Sequence, residues 1–213
     1  MKKILFAGIC FIVSCTAGFA SPILCASVTN LGQLLGAADG CTIQDKLFTD
    51  FTYTGSVPAA QVGASPVFSV GPGSDLHGWI FSPSPVWTSG FSLGYVISVL
   101  PGNPDVHIEA SKLQINTGFS SGVMTTETQN GGALPTLNAS SGTETSQVTF
   151  PLTDSISVLN TVTIPSGSRL ISLENDFLET TTSSVPEPLT TALLGGGLIM
   201  LGLVGTRRKL PKA

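Results

Sequence analysis

Residues 106–115 read Val-His-Ile-Glu-Ala-Ser-Lys-Leu-Gln-Ile, and Val106, Ile108 and Ala110 alternate with His107, Glu109 and Ser111. A period of two sends successive side chains to opposite faces, so the stretch reads as a half-buried strand. Residues 91–99 (FSLGYVISV) and 46–54 (KLFTDFTYT) carry the same excess of aromatic and β-branched side chains. Further strands are expected at 67–70, 79–82, 122–128, 147–152, 155–164 and 168–174. Breaks fall at Gly71-Pro72-Gly73, Pro101-Gly102-Asn103-Pro104, Asn130-Gly131-Gly132 and Pro165-Ser166-Gly167. Only 28–36 has a helical pattern, with Leu31, Leu34 and Leu35 on one face. Short strands at this spacing, with no long helical period between them, predict an all-β fold, an antiparallel β-sandwich. No internal repeat is evident.

Charge narrows the function classes. Only 10% of the 213 residues are charged and the net charge is −4. No basic face can be assembled to neutralise phosphates, so nucleic acid is excluded as a partner. A coiled coil needs far more Glu, Lys and Leu. The charges are also partitioned. Residues 21–185 hold Lys46, Lys112 and Arg169 against twelve acids, whereas Lys2, Lys3, Arg207, Arg208, Lys209 and Lys212 sit in the two ends.

Those ends read as targeting segments. Lys2 and Lys3, the apolar run Ile4 to Val13, and the small residues Gly18 and Ala20 have the order of a signal peptide over 1–20, cut between Ala20 and Ser21. Ile12-Val13-Ser14-Cys15 also resembles a lipoprotein signal, in which Cys15 would be lipidated. At the other end, Leu189 to Gly205 lacks any charge and is followed by Arg207-Arg208-Lys209. As a helix it is about 25 Å long, a little short of a ~30 Å hydrocarbon core, and flanking Arg and Lys can snorkel. A single transmembrane helix at 189–205 is therefore expected, with the basic stop cytoplasmic and the acidic domain outside. Thr180-Thr181-Thr182-Ser183-Ser184 reads as a polar linker, which leaves 21–179 as the ectodomain.

Between linker and span lies Val185-Pro186-Glu187-Pro188. Pro186 and Pro188 block helix and hold the backbone extended around a lone carboxylate. Pro-Glu-Pro, a short apolar span and a basic end, in that order over 185–209, resemble the PEP-CTERM sorting signal of Gram-negative bacteria. The resemblance implies recognition by the membrane enzyme exosortase, cutting near Pro186–Pro188, a transient inner-membrane anchor, and delivery to the cell surface or extracellular matrix. A plain single-span anchor with a Pro-rich stalk is the alternative. Gly40 to Phe48, continuing through Phe51-Thr52-Tyr53, is also similar to the start of PEP-CTERM ectodomains, and brings no activity with it.

Loss of the signal leaves Cys25 and Cys41, an even count that favours a disulfide in an exported domain. Catalytic signals are thin. Gly90-Phe91-Ser92-Leu93-Gly94 matches G-x-S-x-G, but the residues after it read as strand where a nucleophile elbow needs a helix. Asp105 and His107 follow Ser92 in triad order, yet lie side by side on one strand face. His77 and His107 are the only histidines and are expected in a turn and on a strand surface. Without a third ligand at suitable spacing they imply no metal. Glu109, Glu127 and Glu144 show no spacing that singles out a glycosidase pair. Glu174-Asn175-Asp176 lacks a calcium-loop pattern. Trp79 and Trp87 are expected in the core, or else exposed as stacking platforms for sugar. No motif implies a cofactor. Three classes follow: a non-enzymatic surface or matrix protein, a carbohydrate-binding module acting on exopolysaccharide, and a secreted hydrolase.

Overall fold

The stretch around 106–115 forms strand β7 (Val106–Asn116), with Ile108, Leu113 and Ile115 buried. The computed structural model describes residues 21–69 and 75–181. In chain order the other strands are β1 (Ile23–Leu24), β2 (Cys41–Ile43), β3 (Lys46–Thr54), β4 (Val62–Ser69), β5 (Asp75–Pro83), β6 (Phe91–Val99), β8 (Met124–Gln129), β9 (Leu137–Ser140), β10 (Thr145–Thr153), β11 (Ser155–Thr163) and β12 (Ser172–Thr181). One sheet runs β1-β2-β3-β6-β11-β8-β9 and the other β10-β7-β12-β5-β4. All these pairings are antiparallel except β1 with β2. The all-β sandwich read from the sequence is therefore the fold.

Strict alternation builds the core. On β11 the buried residues are Ile156, Val158, Asn160 and Val162, and every residue between them faces solvent. Aromatics fill the space between the sheets. Phe48 meets Trp79 edge-on at 5.9 Å, and Phe51 meets the same ring at 6.1 Å. Such pairs add about 0.5–1.5 kcal/mol each beyond simple burial. At one side of the sandwich, the Asn138 amide donates to Ser146 Oγ at 3.3 Å and ties β9 to β10.

The helix is shorter than expected. It is α1 (Leu31–Gly36), and it starts at Leu31 because Asn30 is its N-cap: the Asn30 side chain accepts from the Gln33 amide at 3.1 Å. Leu31 and Leu34 are buried, whereas Leu35 is exposed. Several strands extend beyond the bounds read from composition, because ladder pairing carries polar residues into them.

β12 continues through Thr180 and Thr181, the first two residues expected as linker, because they pair with His107 and Val106. The same ladder joins Ser172 to Asn116, so the sandwich has two ends. One end, the Thr181 pole, holds the last described residue; the other is the loop pole. Among the described residues no helix is long and apolar enough to cross a membrane. The expected signal peptide and the span at 189–205 lie outside them.

Candidate functional site

A buried charge cluster occupies the Thr181 pole. The β2–β3 hairpin turns through Gln44 and Asp45, with Ile43 paired to Lys46. Gln44 has φ of 53°, uncommon for a residue with a Cβ, and its side chain faces β5. Period two then points Lys46 inward beside Phe48, with Lys46 only 1% exposed. Lys46 Nζ donates to Asp45 Oδ1 at 2.8 Å and to Glu179 Oε2 of β12. The second bond links the two sheets.

His77 completes the group. It lies in β5, not in a turn, and faces inward at 1% exposure. Its Nε2 pairs with Gln44 Oε1 at 2.7 Å, while Nδ1 lies 3.7 Å from Glu179 Oε2 without a hydrogen bond. Burial, reinforced by the Lys46 charge, lowers its pKa to about 4, so the ring is neutral at pH 7. Burial raises the pKa of Glu179 despite the opposing pull of Lys46. Asp45, His77 and Glu179 offer ligand atoms within 4.8 Å of one another, a metal-like set that composition did not reveal. The positive charge between its two carboxylates is Lys46. The Lys46–Glu179 pair in this group holds β12 to the opposite sheet.

A second polar layer lies deeper. Glu127 of β8 accepts from Gln129 and from Asn175 of β12, and Asn160 of β11 donates to Asn175 Oδ1 at 2.9 Å. Gln129 donates to Ser111 of β7 at 2.5 Å. All of these bonds except the Gln129–Glu127 one, which lies within β8, cross between the sheets. Burial, opposed by the Gln129 bond and aided by the Asp176 charge, pushes the Glu127 pKa up to about 7. Burial beside Glu127 and Asp176 raises the Tyr95 hydroxyl as well.

The remaining sequence candidates separate. Ser92 is the second residue of β6 and shares a hydrogen bond with Thr54 at 2.6 Å. His107 pairs with Asp154 at 2.6 Å, and Asp154 accepts from the Val99 amide at the far end of β6. Seven strand positions, about 23 Å, separate Ser92 from Val99, so the G-x-S-x-G serine and His107 form no triad. Glu109 is the extra residue at the β7 bulge, Glu127 is in the core and Glu144 is in a loop, so they form no pair. Asn175 faces the opposite sheet, while Glu174 and Asp176 point to the other face of β12, where Lys112 lies 3.9 and 3.1 Å away and Asp176 is itself only 1% exposed. Those three residues therefore do not converge on a calcium ion. Trp79 and Trp87 are 0% and 1% exposed, so neither ring is a sugar platform. Cys25 and Cys41 are joined in a disulfide with a Cα–Cα distance of 4.9 Å. Ser21 is exposed; Ala20, Val185, Pro186, Glu187, Pro188, Arg207, Arg208 and Lys209 lie outside the described residues.

No family model matches the chain, and comparison with the curated proteins finds no match.

Proposed function

We propose that this chain is an exported bacterial surface or extracellular-matrix protein, with a PEP-CTERM sorting signal processed by exosortase and no catalytic activity of its own. The observation that carries the reading is the order of parts after β12: Val185-Pro186-Glu187-Pro188, the uncharged run Leu189 to Gly205, and Arg207-Arg208-Lys209. The signal at 1–20 directs export, and the basic stop holds the tail in the inner membrane. Exosortase then cuts at the Pro-Glu-Pro strip and frees the sandwich from its anchor.

Two features of the described residues support this reading. A disulfide suits an oxidising compartment outside the cytoplasm. The buried carboxylates Glu179 and Glu127 are engaged by neighbouring side chains across the sandwich, which suits a structural role. β12 ends at Thr181, four residues before Val185, so the cut lies just beyond a strand secured by Lys46.

Intact-mass analysis of the exported protein tests the proposal. The expected species starts at Ser21 and lacks everything beyond about Pro188. A mature species that keeps Arg207 to Ala213 overturns sorting in favour of simple anchoring. A lipidated start at Cys15 overturns the assigned cut at Ala20–Ser21.

A further inference from the structure

At the loop pole, Phe119 stands fully exposed beside an open pocket of about 620 Å³ lined also by Asn116, Ser120, Ser141 and Glu144. Burying a Phe is worth roughly 1.5–3 kcal/mol, and here that gain is forgone. The loop does not hold the ring out by slackness. The Thr117 amide and Oγ1 donate to Glu144 Oε1 at 3.3 and 2.8 Å, and the Gly118 amide donates to Asn116 Oδ1 at 3.0 Å. The Arg169 amide donates to Ser120 Oγ at 3.1 Å, and Ser168 Oγ donates to the Ser121 carbonyl at 2.6 Å. Gly118 has φ of +53°, and a Cβ there would lie 2.8 Å from Ile171 Cδ1. Three loops thus brace one exposed ring over a rim of hydroxyl, amide and carboxylate groups.

We infer that this pocket binds a pyranose unit of a neutral carbohydrate chain. A pyranose has an apolar face of C–H groups and a rim of hydroxyls, and the pocket offers both counterparts: the Phe119 face, and, besides the atoms that brace the loop, Asn116 Nδ2, Ser141 Oγ and Glu144 Oε2. Few polar groups placed around an aromatic surface are what orient a small ligand. Glu144 disfavours an anionic ligand, and the polar lining disfavours a purely apolar one. Trp79 and Trp87, the aromatic platforms expected from the sequence, are buried, whereas Phe119 is exposed. The pocket lies about 33 Å along β7 from the end of the sandwich that holds Thr181, the last described residue. The inference rests on the loop geometry and is independent of how the tail is processed.

Affinity electrophoresis tests it, with the full chain solubilised in a polyoxyethylene detergent that carries no sugar headgroup. The gels contain hydroxyethyl cellulose, xylan, galactomannan or dextran. Migration should be retarded by at least one polymer. Phe119→Ala should weaken that binding about tenfold or more with an unchanged melting temperature, and Phe119→Trp should keep it. Glu144→Gln should weaken it less, and Phe68→Ala, at an exposed ring on β4, should leave it intact. Absence of retardation in all four polymers overturns the assignment. So does a Phe119→Ala protein that binds as tightly as the parent.

Discussion

Lys46 on β3 and Glu179 on β12 form a buried ion pair that joins the two sheets across 133 positions of sequence. Glu179 lies two residues before the last described position, so the pair secures the C-terminal end of β12. Removing one partner of a buried pair leaves an uncompensated charge, at a cost of about 3–5 kcal/mol. Lys46→Ala should lower the unfolding free energy by that amount in urea titrations. The double variant Lys46→Met with Glu179→Leu, which leaves no buried pair to satisfy, should lose much less than the sum of the single variants. A Lys46→Ala loss below about 1 kcal/mol would mean that the pair behaves like an exposed one.

The strands were legible because period two survives in β7 and β11, and because Gly and Pro mark the turns. The inward polar residues were legible only in part. Asn160 occupies the position that alternation from Ile156 and Val158 assigns to the core, so its burial follows from the pattern. Lys46 was a visible oddity: one of three cations in the ectodomain, placed at the start of an apolar strand. Its partner was hidden, because pairing across sheets depends on which strands become neighbours. His77 was misplaced for a related reason. The Gly71-Pro72-Gly73 break drew it into a turn, while the β5 ladder starts at Asp75 and pairs His77 with both Phe177 and Phe68.

Opposite pKa displacements predict how stability follows pH. Glu127 rises from 4.5 to about 7 in the folded state, so between those values the folded protein keeps a proton that the unfolded chain has released. Its stabilising contribution is complete below about pH 4.5 and is lost by about pH 7, a change on the order of 3 kcal/mol. Glu174 and Glu179 are shifted the same way and act in the same direction. His77 falls from 6.5 to about 4, so its contribution is gained as pH rises through that window. In urea titrations from pH 4.5 to 7.5, Glu127→Gln should remove most of the loss of stability on raising the pH. His77→Gln should deepen that loss between pH 4.5 and 6.5. An unchanged slope in Glu127→Gln would place the titration elsewhere.

Two equally buried tryptophans should respond differently to the same substitution. Trp87 Nε1 donates to the Tyr53 hydroxyl at 3.0 Å and the ring stacks on Phe91 at 4.2 Å. Trp79 Nε1 has no hydrogen-bond partner. Trp87→Phe loses the bond to half-buried Tyr53, whereas Trp79→Phe removes a buried donor that was already unpaired. Trp87→Phe should therefore be the more destabilising by about 1 kcal/mol or more, read as the larger fall in melting temperature. Equal falls would show that packing alone governs both sites.

The Cys25–Cys41 disulfide should matter most for the first segment of the sandwich. β1 is two residues long and meets the sheet through β2 alone, which is itself three residues long. So short a ladder contributes few hydrogen bonds, one of them from the Ile23 amide to the Gly40 carbonyl at 3.1 Å. The bridge closes a loop with a sequence separation of 16 that includes α1. Its removal restores about 3 kcal/mol of chain entropy to the unfolded state. The pair Cys25→Ala with Cys41→Ala should lose about that much stability and speed amide exchange at Ile23 far more than in β7 or β12. Both sulfurs are fully buried, so a reductant should act on the native protein only after this segment opens. Uniform acceleration of exchange across both sheets would mean that the bridge supports the whole sandwich and not its first segment.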